Sequence, residues 1–180
     1  IKGQIRVEGK HIKQSGGHGQ YGHVVVEFES LDRGAGFVFE NRVVGGRIPK
    51  EYIASIEQGI RDASENGVLA GYPVIDFKAT LIDGSYHEVD SSELAYRIAA
   101  MNAFRQGVAR ARPVLLEPIM AVDVITPEEY MGELIKDLSS RRARISGLED
   151  RQHGKLITAD CPLRDMFGYA TTPVSYTHLR

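Results

Sequence analysis

Residues 24–29 read Val24-Val25-Val26-Glu27-Phe28-Glu29. Val24, Val26 and Phe28 face one way and Val25, Glu27 and Glu29 the other, the two-residue repeat of a half-buried strand. Working outward, residues 37–44 repeat the signal through Phe37, Phe39 and Val43 until Gly45-Gly46 breaks it. A helix is expected next: Pro49 suits its start, Ile53, Ile56 and Ile60 fall at helical spacing, and Gly67 stands where a C-terminal cap belongs. Residues 74–82 alternate again through Ile75, Phe77, Ala79 and Leu81, and Asp83-Gly84 reads as a turn. A second helix is expected from Asp90, with Glu93 closing a capping box, to about Arg110; Ala95, Ile98, Ala99 and Met101 form its packing stripe.

Pro113 and Pro118 bracket Val114-Leu115-Leu116, which places a domain boundary near residue 116. The pattern beyond it predicts a strand over 117–125, a helix over 127–140, strands over 142–149 and 155–161, and a short helix over 162–169. Thr126 is the N-cap candidate of the longer helix, Pro127 its first residue and Glu129 the box partner, while Tyr130, Leu134 and Leu138 recur every four positions. A β-α-β-β-α order is a ferredoxin-like unit without its last strand. Both halves, 1–116 and 117–180, are therefore expected to be α+β.

Composition narrows the function classes. The 180 residues are 42% hydrophobic, sufficient for one large or two small cores, with no apolar run of the ~18 positions a spanning helix needs. No signal segment opens the sequence, so a cytoplasmic location without membrane contact is expected. Cys161 is the only cysteine, which excludes an internal disulfide and a cysteine-rich zinc site and leaves it as core filler. A formal net charge of −2 does not mark a protein that holds nucleic acid by charge alone. Lys2, Arg6, Lys10 and Lys13, and separately Arg141, Arg142 and Arg144, are local basic clusters that read first as solvated faces. Any nucleic-acid contact must then be local.

The most unusual segment is Ser15-Gly16-Gly17-His18-Gly19-Gln20-Tyr21-Gly22. Its glycines permit close approach to another surface, but it lacks the Lys-Ser/Thr ending of a P-loop and leads into a strand. A mobile hairpin tip outweighs a phosphate cradle. His11, His18, His23 and His87 have no metal-ligand spacing and read as exposed loop residues, so no metal ligand is assigned; no serine sits in a nucleophile elbow, so no catalytic residue is assigned either. What survives is a pair of loops, 15–22 and 83–90, each with glycine, an aromatic ring and histidine. If they meet, they make an RNA-probing tip, with rings to stack on bases and amides or imidazoles to bind phosphates and 2′-hydroxyls.

Several longer strings go further. Ser15 to His23, Val44 to Tyr52, Gly67 to Val74, Asp83 to Glu93, Leu115 to Met120 and Met166 to Thr171 resemble bacterial elongation factor G, in the family's order, across roughly residues 1–171. The resemblance implies that 1–116 are the family's fourth domain, a split β-α-β fold related to a ribosomal protein domain, and that 117–180 are most of its ferredoxin-like fifth domain. It implies a piece of a translational GTPase that promotes GTP-dependent translocation of transfer RNA and messenger RNA. This piece would itself be no enzyme and hold no cofactor, because GTP and magnesium belong to a domain outside it. The expected partner is the ribosome, including ribosomal RNA and the transfer and messenger RNAs at the decoding site; the expected state is a monomer. His87 corresponds to the family's tip histidine, with Ser85 and Tyr86 beside it, while Gly16, Gly17, His18, Gln20 and Tyr21 lie in the first tip loop. Arg141, Arg142 and Arg144 are secondary candidates for ribosomal RNA. His18 departs from the basic residue usual in the family, and residues from about 172 depart from its final strand, an atypical tail. Two alternatives stand beside this reading: a paralogous recycling or ribosomal-protection factor, and a phosphate-binding enzyme of the same fold.

Overall fold

Strand β1 (Gln4–Lys13) and strand β2 (Gln20–Ser30) pair antiparallel, with Ile5 opposite Phe28 and Ile12 opposite Tyr21. The computed structural model describes residues 1–14, 19–152 and 154–169. The chain divides into two compact units, Ile1–Leu115 and Leu116–Arg180. In the first, β3 (Phe37–Asn41) is followed by a single 3-10 turn, Lys50–Tyr52, and helix α1 (Ile53–Glu65), then β4 (Phe77–Ser85) and helix α2 (Glu93–Arg110). The sheet order is β1-β2-β4-β3, with β3 and β4 parallel and joined through α1. This is the expected α+β arrangement.

The strand alternation is borne out. Val24, Val26, Phe28, Phe77, Ala79 and Leu81 are fully buried beneath Tyr96, Phe104, Ile56 and Ile60 of the two helices. Phe104 meets Phe28 edge-on at 5.7 Å between ring centroids, one of the orientations aromatic pairs favour. Helix α2 lies close because small residues meet on both sides. A Cβ at Gly9 would stand 2.2 Å from the Ala99 carbonyl oxygen, and one at Gly22 would stand 2.3 Å from that of Ala95. Ala95, Ala99 and Ala103, spaced four apart, form the helical ridge above these glycines.

Several sequence expectations change. Strand β1 alternates in burial, with Ile5, Val7 and Gly9 turned inward, but Gly9 stands where a large apolar residue would be expected. Asp83-Gly84 is not a turn: both residues belong to β4, opposite Val25 and Val24. Gly84 is needed there because a Cβ would stand 2.4 Å from Ile48 Cδ1 and 2.5 Å from the His23 carbonyl oxygen. Ile75 lies before β4 and is exposed, and Val43 lies beyond β3. Gly67 does not cap α1, whose C-cap is Asn66; it is required instead by the Tyr72 carbonyl oxygen, 2.3 Å from where its Cβ would be. Ser92, not Asp90, caps α2, accepting the Ala95 N–H at 3.2 Å.

The second unit runs β5 (Ile119–Thr126), a 3-10 turn over Glu128–Tyr130, α3 (Met131–Ser140), β6 (Arg144–Arg151), β7 (Gly154–Pro162) and the short α4 (Leu163–Met166). Its antiparallel sheet has the order β5-β7-β6, the ferredoxin-like β-α-β-β-α pattern, with no fourth strand among the described residues. Leu134 and Leu138 of α3 cover Ile157, with Val124 and Ile145 packed alongside. Thr126 ends β5 and is not a cap, since its hydroxyl donates to the Pro127 carbonyl; the α-helix proper starts only at Met131. Cys161 is buried as expected, and burial pushes its thiol pKa up. The atypical tail from about 172 lies outside the described residues.

One surface cluster makes stability pH-dependent. Glu40 of β3 accepts from Arg42 Nε at 2.6 Å and lies 2.8 Å from Lys78 Nζ of β4. The Arg42 hydrogen bond first, and that of Lys78 second, lower its pKa from 4.5 to about 2. A lowered folded-state pKa means the contribution is complete above the ordinary carboxylate value and is lost as pH falls toward about 2. Glu40→Gln is expected to lower the urea midpoint at neutral pH and to flatten part of the acid limb below pH 4.5, so that the two proteins converge as pH falls toward about 2. Superimposable acid limbs for the two proteins would remove Glu40 from the account.

Candidate nucleic-acid interface

Antiparallel pairing puts the start of β2 beside the end of β4, with His23 opposite Ser85. The segments after β1 and after β4 therefore emerge at the same end of the sheet. Their flanks are joined. Asp90 accepts the Gly19 N–H on its carboxylate at 3.0 Å and the Tyr21 N–H on its backbone oxygen at 2.7 Å, and Tyr21 bridges to Ser91. Gly19 has no room for a side chain, as a Cβ would stand 2.8 Å from the Asp90 carboxylate. The role of Asp90 is this tie between segments, which a local capping pattern could not reveal.

His87 stands at the centre of the second segment. Its backbone N–H donates to Ser91 Oγ at 3.0 Å, and its carbonyl accepts the Ser91 N–H at 3.1 Å. The backbone N–H groups of Val89 and Asp90 donate to His87 Nδ1 at 3.4 and 3.2 Å. A nitrogen that accepts carries no hydrogen, and Asp90 Oδ2, 3.5 Å from Nδ1, is too distant for a good hydrogen bond, so the neutral ring bears its proton on Nε2. Half of the side chain is exposed, at 51%, and Nε2 has no hydrogen-bond partner among the described residues. The Tyr21 ring lies against it at 5.8 Å between centroids. The end of the sheet thus carries an N–H donor and an aromatic surface on a braced segment.

The sequence-derived candidates divide as follows. Gln20 opens β2 and meets His11 Nε2 through Oε1 at 2.7 Å. Tyr21, Ser85 and His87 come together at the same place. Tyr86 is exposed, with its ring 6.2 Å from Tyr52. Gly16, Gly17 and His18 lie outside the described residues. His11 and His23 are not loop residues, as the pattern suggested, but strand residues facing neighbouring strands. The signal for His23 was available in its spacing from Tyr21, which puts both side chains on one sheet face.

In the second unit Arg141 donates to Asp137 Oδ2 at 3.0 Å and to the Asp165 carbonyl at 2.8 Å, and lies 5.0 Å over the Tyr169 ring. Arg142 pairs with Asp165 and Glu117. Both hold their own unit together, whereas Arg144 is exposed at the start of β6. No cluster of three His, Cys, Asp or Glu that could hold a metal occurs among the described residues. No helix among them is long and apolar enough to cross a membrane.

The first unit is thus an α+β fold with a braced sheet end, and the second is ferredoxin-like. Residues 1–112 match the family described as elongation factor G, domain IV, and residues 114–178 match the elongation factor G C-terminus. The chain belongs to the elongation factor G family. It is 60% identical over 172 residues to elongation factor G of Fervidobacterium nodosum, a match covering 96% of this chain and 25% of that protein. It also superposes on a crystal structure of a Thermus thermophilus protein with a TM-score of 0.84 and 46% identity, over 97% of this chain and 26% of the other. The chain thus spans about a quarter of the length of these relatives.

Proposed function

We propose that this chain is the part of a translocating elongation factor that enters the decoding site, contacting transfer RNA and messenger RNA through the segments around Tyr21 and His87. GTP and magnesium are held elsewhere in the whole factor, so this part binds and positions but does not hydrolyse. The observation that carries the reading is the pairing of a half-exposed imidazole, donor at Nε2, with the Tyr21 ring on a segment fixed by Ser91 and Asp90. Such a group offers a hydrogen to phosphates, 2′-hydroxyls or base acceptors, and its bracing limits the entropy lost on contact. Gly16, Gly17, His18 and Gln20 belong to the same tip by resemblance, while Arg144 is the better of the arginine candidates for ribosomal RNA because Arg141 and Arg142 are engaged within their unit.

A photo-crosslinker at Tyr86, in a full-length factor carrying this sequence, is expected to label messenger, transfer or small-subunit ribosomal RNA in pre-translocation ribosomes. Labelling of ribosomal protein alone would end the reading. The 180-residue chain by itself is expected to show no saturable GTP site and no ribosome-stimulated turnover, since it has no P-loop. Turnover above the ribosome-only background would overturn that part.

A further inference from the structure

A row of polar side chains crosses three strands on the sheet face turned away from the helices. Glu8 of β1 accepts from Lys10, with Oε1 2.8 Å from Nζ, and the same oxygen lies 2.7 Å from His23 Nε2 of β2. His23 Nδ1 lies 2.5 Å from Ser85 Oγ of β4, and that hydroxyl also meets the Tyr21 hydroxyl at 2.6 Å. Tyr21 in turn carries the His87 ring. None of these bonds belongs to the backbone ladder, and all converge on one tyrosine.

The chemistry fixes their direction. An ionised carboxylate only accepts, and the Lys10 hydrogen bond, with help from His23, holds Glu8 below its ordinary pKa. The contact to His23 is short, though out of line for a hydrogen bond, and a carboxylate at that distance demands hydrogen on Nε2. In the neutral ring Nδ1 then accepts, so Ser85 donates to His23 and is left with its lone pairs for the Tyr21 hydroxyl. Tyr21 is held as a donor with its ring fixed under His87.

We infer that Ser85 and Tyr21 are positioning residues for His87, with the direction of their hydrogen bonds set across the sheet by Glu8 and His23. This inference rests on the reading of His87 as the RNA contact, but its test needs no ribosome. In the 180-residue chain labelled at histidine nitrogen, His23 is expected to show the Nε2–H tautomer, as is His87. Tyr21→Phe keeps the ring and removes only the hydroxyl; it is expected to weaken the Tyr21–His87 ring cross-peaks at least twofold, as is Ser85→Ala. Ser85→Thr, which retains the hydroxyl, is expected to restore them. Glu8→Gln should shift His23 toward the Nδ1–H tautomer, because an amide at that place can donate. Unchanged ring cross-peaks in Tyr21→Phe, or an Nδ1–H tautomer of His23 in the unsubstituted chain, would overturn the inference. Cross-peaks that respond as expected beside a Tyr86 crosslinker that labels no RNA would leave the positioning intact and remove the RNA contact.

Discussion

His87→Ala, placed in a full-length elongation factor G with this sequence, is expected to slow single-round translocation about two- to twelve-fold while leaving ribosome-stimulated GTP turnover nearly unchanged. The size follows if the proposed RNA contact is one hydrogen bond, worth about 0.5–1.5 kcal/mol, made chiefly while the RNA is moving. An interaction formed in the transition state lowers the barrier, whereas the same energy spread over the whole ribosome-binding surface barely alters affinity. The structure supplies a control. His87 Nδ1 also accepts two backbone N–H groups, so alanine removes a loop acceptor as well as the outward donor. His87→Asn restores an acceptor close to Nδ1 without restoring Nε2–H. Both variants should be slow if the donor matters; a slow alanine variant beside a normal asparagine variant would assign His87 to loop structure instead. Those two N–H groups lie in an exposed segment where water can replace the acceptor, so the melting temperature should move little.

A large effect on stability is expected at Gly22. A methyl there would stand 2.3 Å from the carbonyl oxygen and 2.5 Å from the carbonyl carbon of Ala95, and backbone cannot swing aside as a side chain can. Overpacking of this kind costs about 1–3 kcal/mol, and a clash with backbone belongs at the upper end. Gly22→Ala is therefore expected to lower the melting temperature of the first unit by about 10 °C. It should also loosen the tip, because Ser92, two positions after the Asp90 tie, accepts the Ala95 N–H. Gly132→Ala is the matched control: Gly132 lies within α3 with nothing within 4 Å of its would-be Cβ. Alanine there should stabilise the second unit by about 0.5–1 kcal/mol. A scan in which Gly22→Ala melts with the unsubstituted chain would show that α2 can lift from the sheet without cost.

The parts of the fold that were legible in the sequence are those with a large residue at every buried position. Val24, Val26 and Phe28 announce a strand unaided, and Ile53, Ile56 and Ile60 announce a helix. The parts that were not legible are those where burial is achieved by leaving a side chain out. Gly9 hides β1, Gly84 imitates a turn inside β4, and Gly67 imitates a cap, each because a neighbouring backbone or side chain occupies the space. The site behaves likewise. Tyr21 and His87 could be picked out as residue types, but their meeting depends on the register of His23 against Ser85, fixed between strands more than sixty positions apart. Asp90 reads as the cap by sequence; only the tertiary position of Gly19 shows that Asp90 is engaged elsewhere and that Ser92 caps instead.

The strand directions have a mechanical consequence. Strand β2 is 11 residues long, up to roughly 36 Å at about 3.3 Å per residue, and it and β4 run back from the tip side by side, with one register shift at Val25/Val26. Their hydrogen bonds lie across that direction. A thrust or pull delivered at His87 along the strands loads the ladder in shear, so many bonds share it at once and none can be peeled open in sequence. The same number of bonds loaded crosswise would fail one at a time. Under such a load the first unit is stiffest along the axis on which these strands lie.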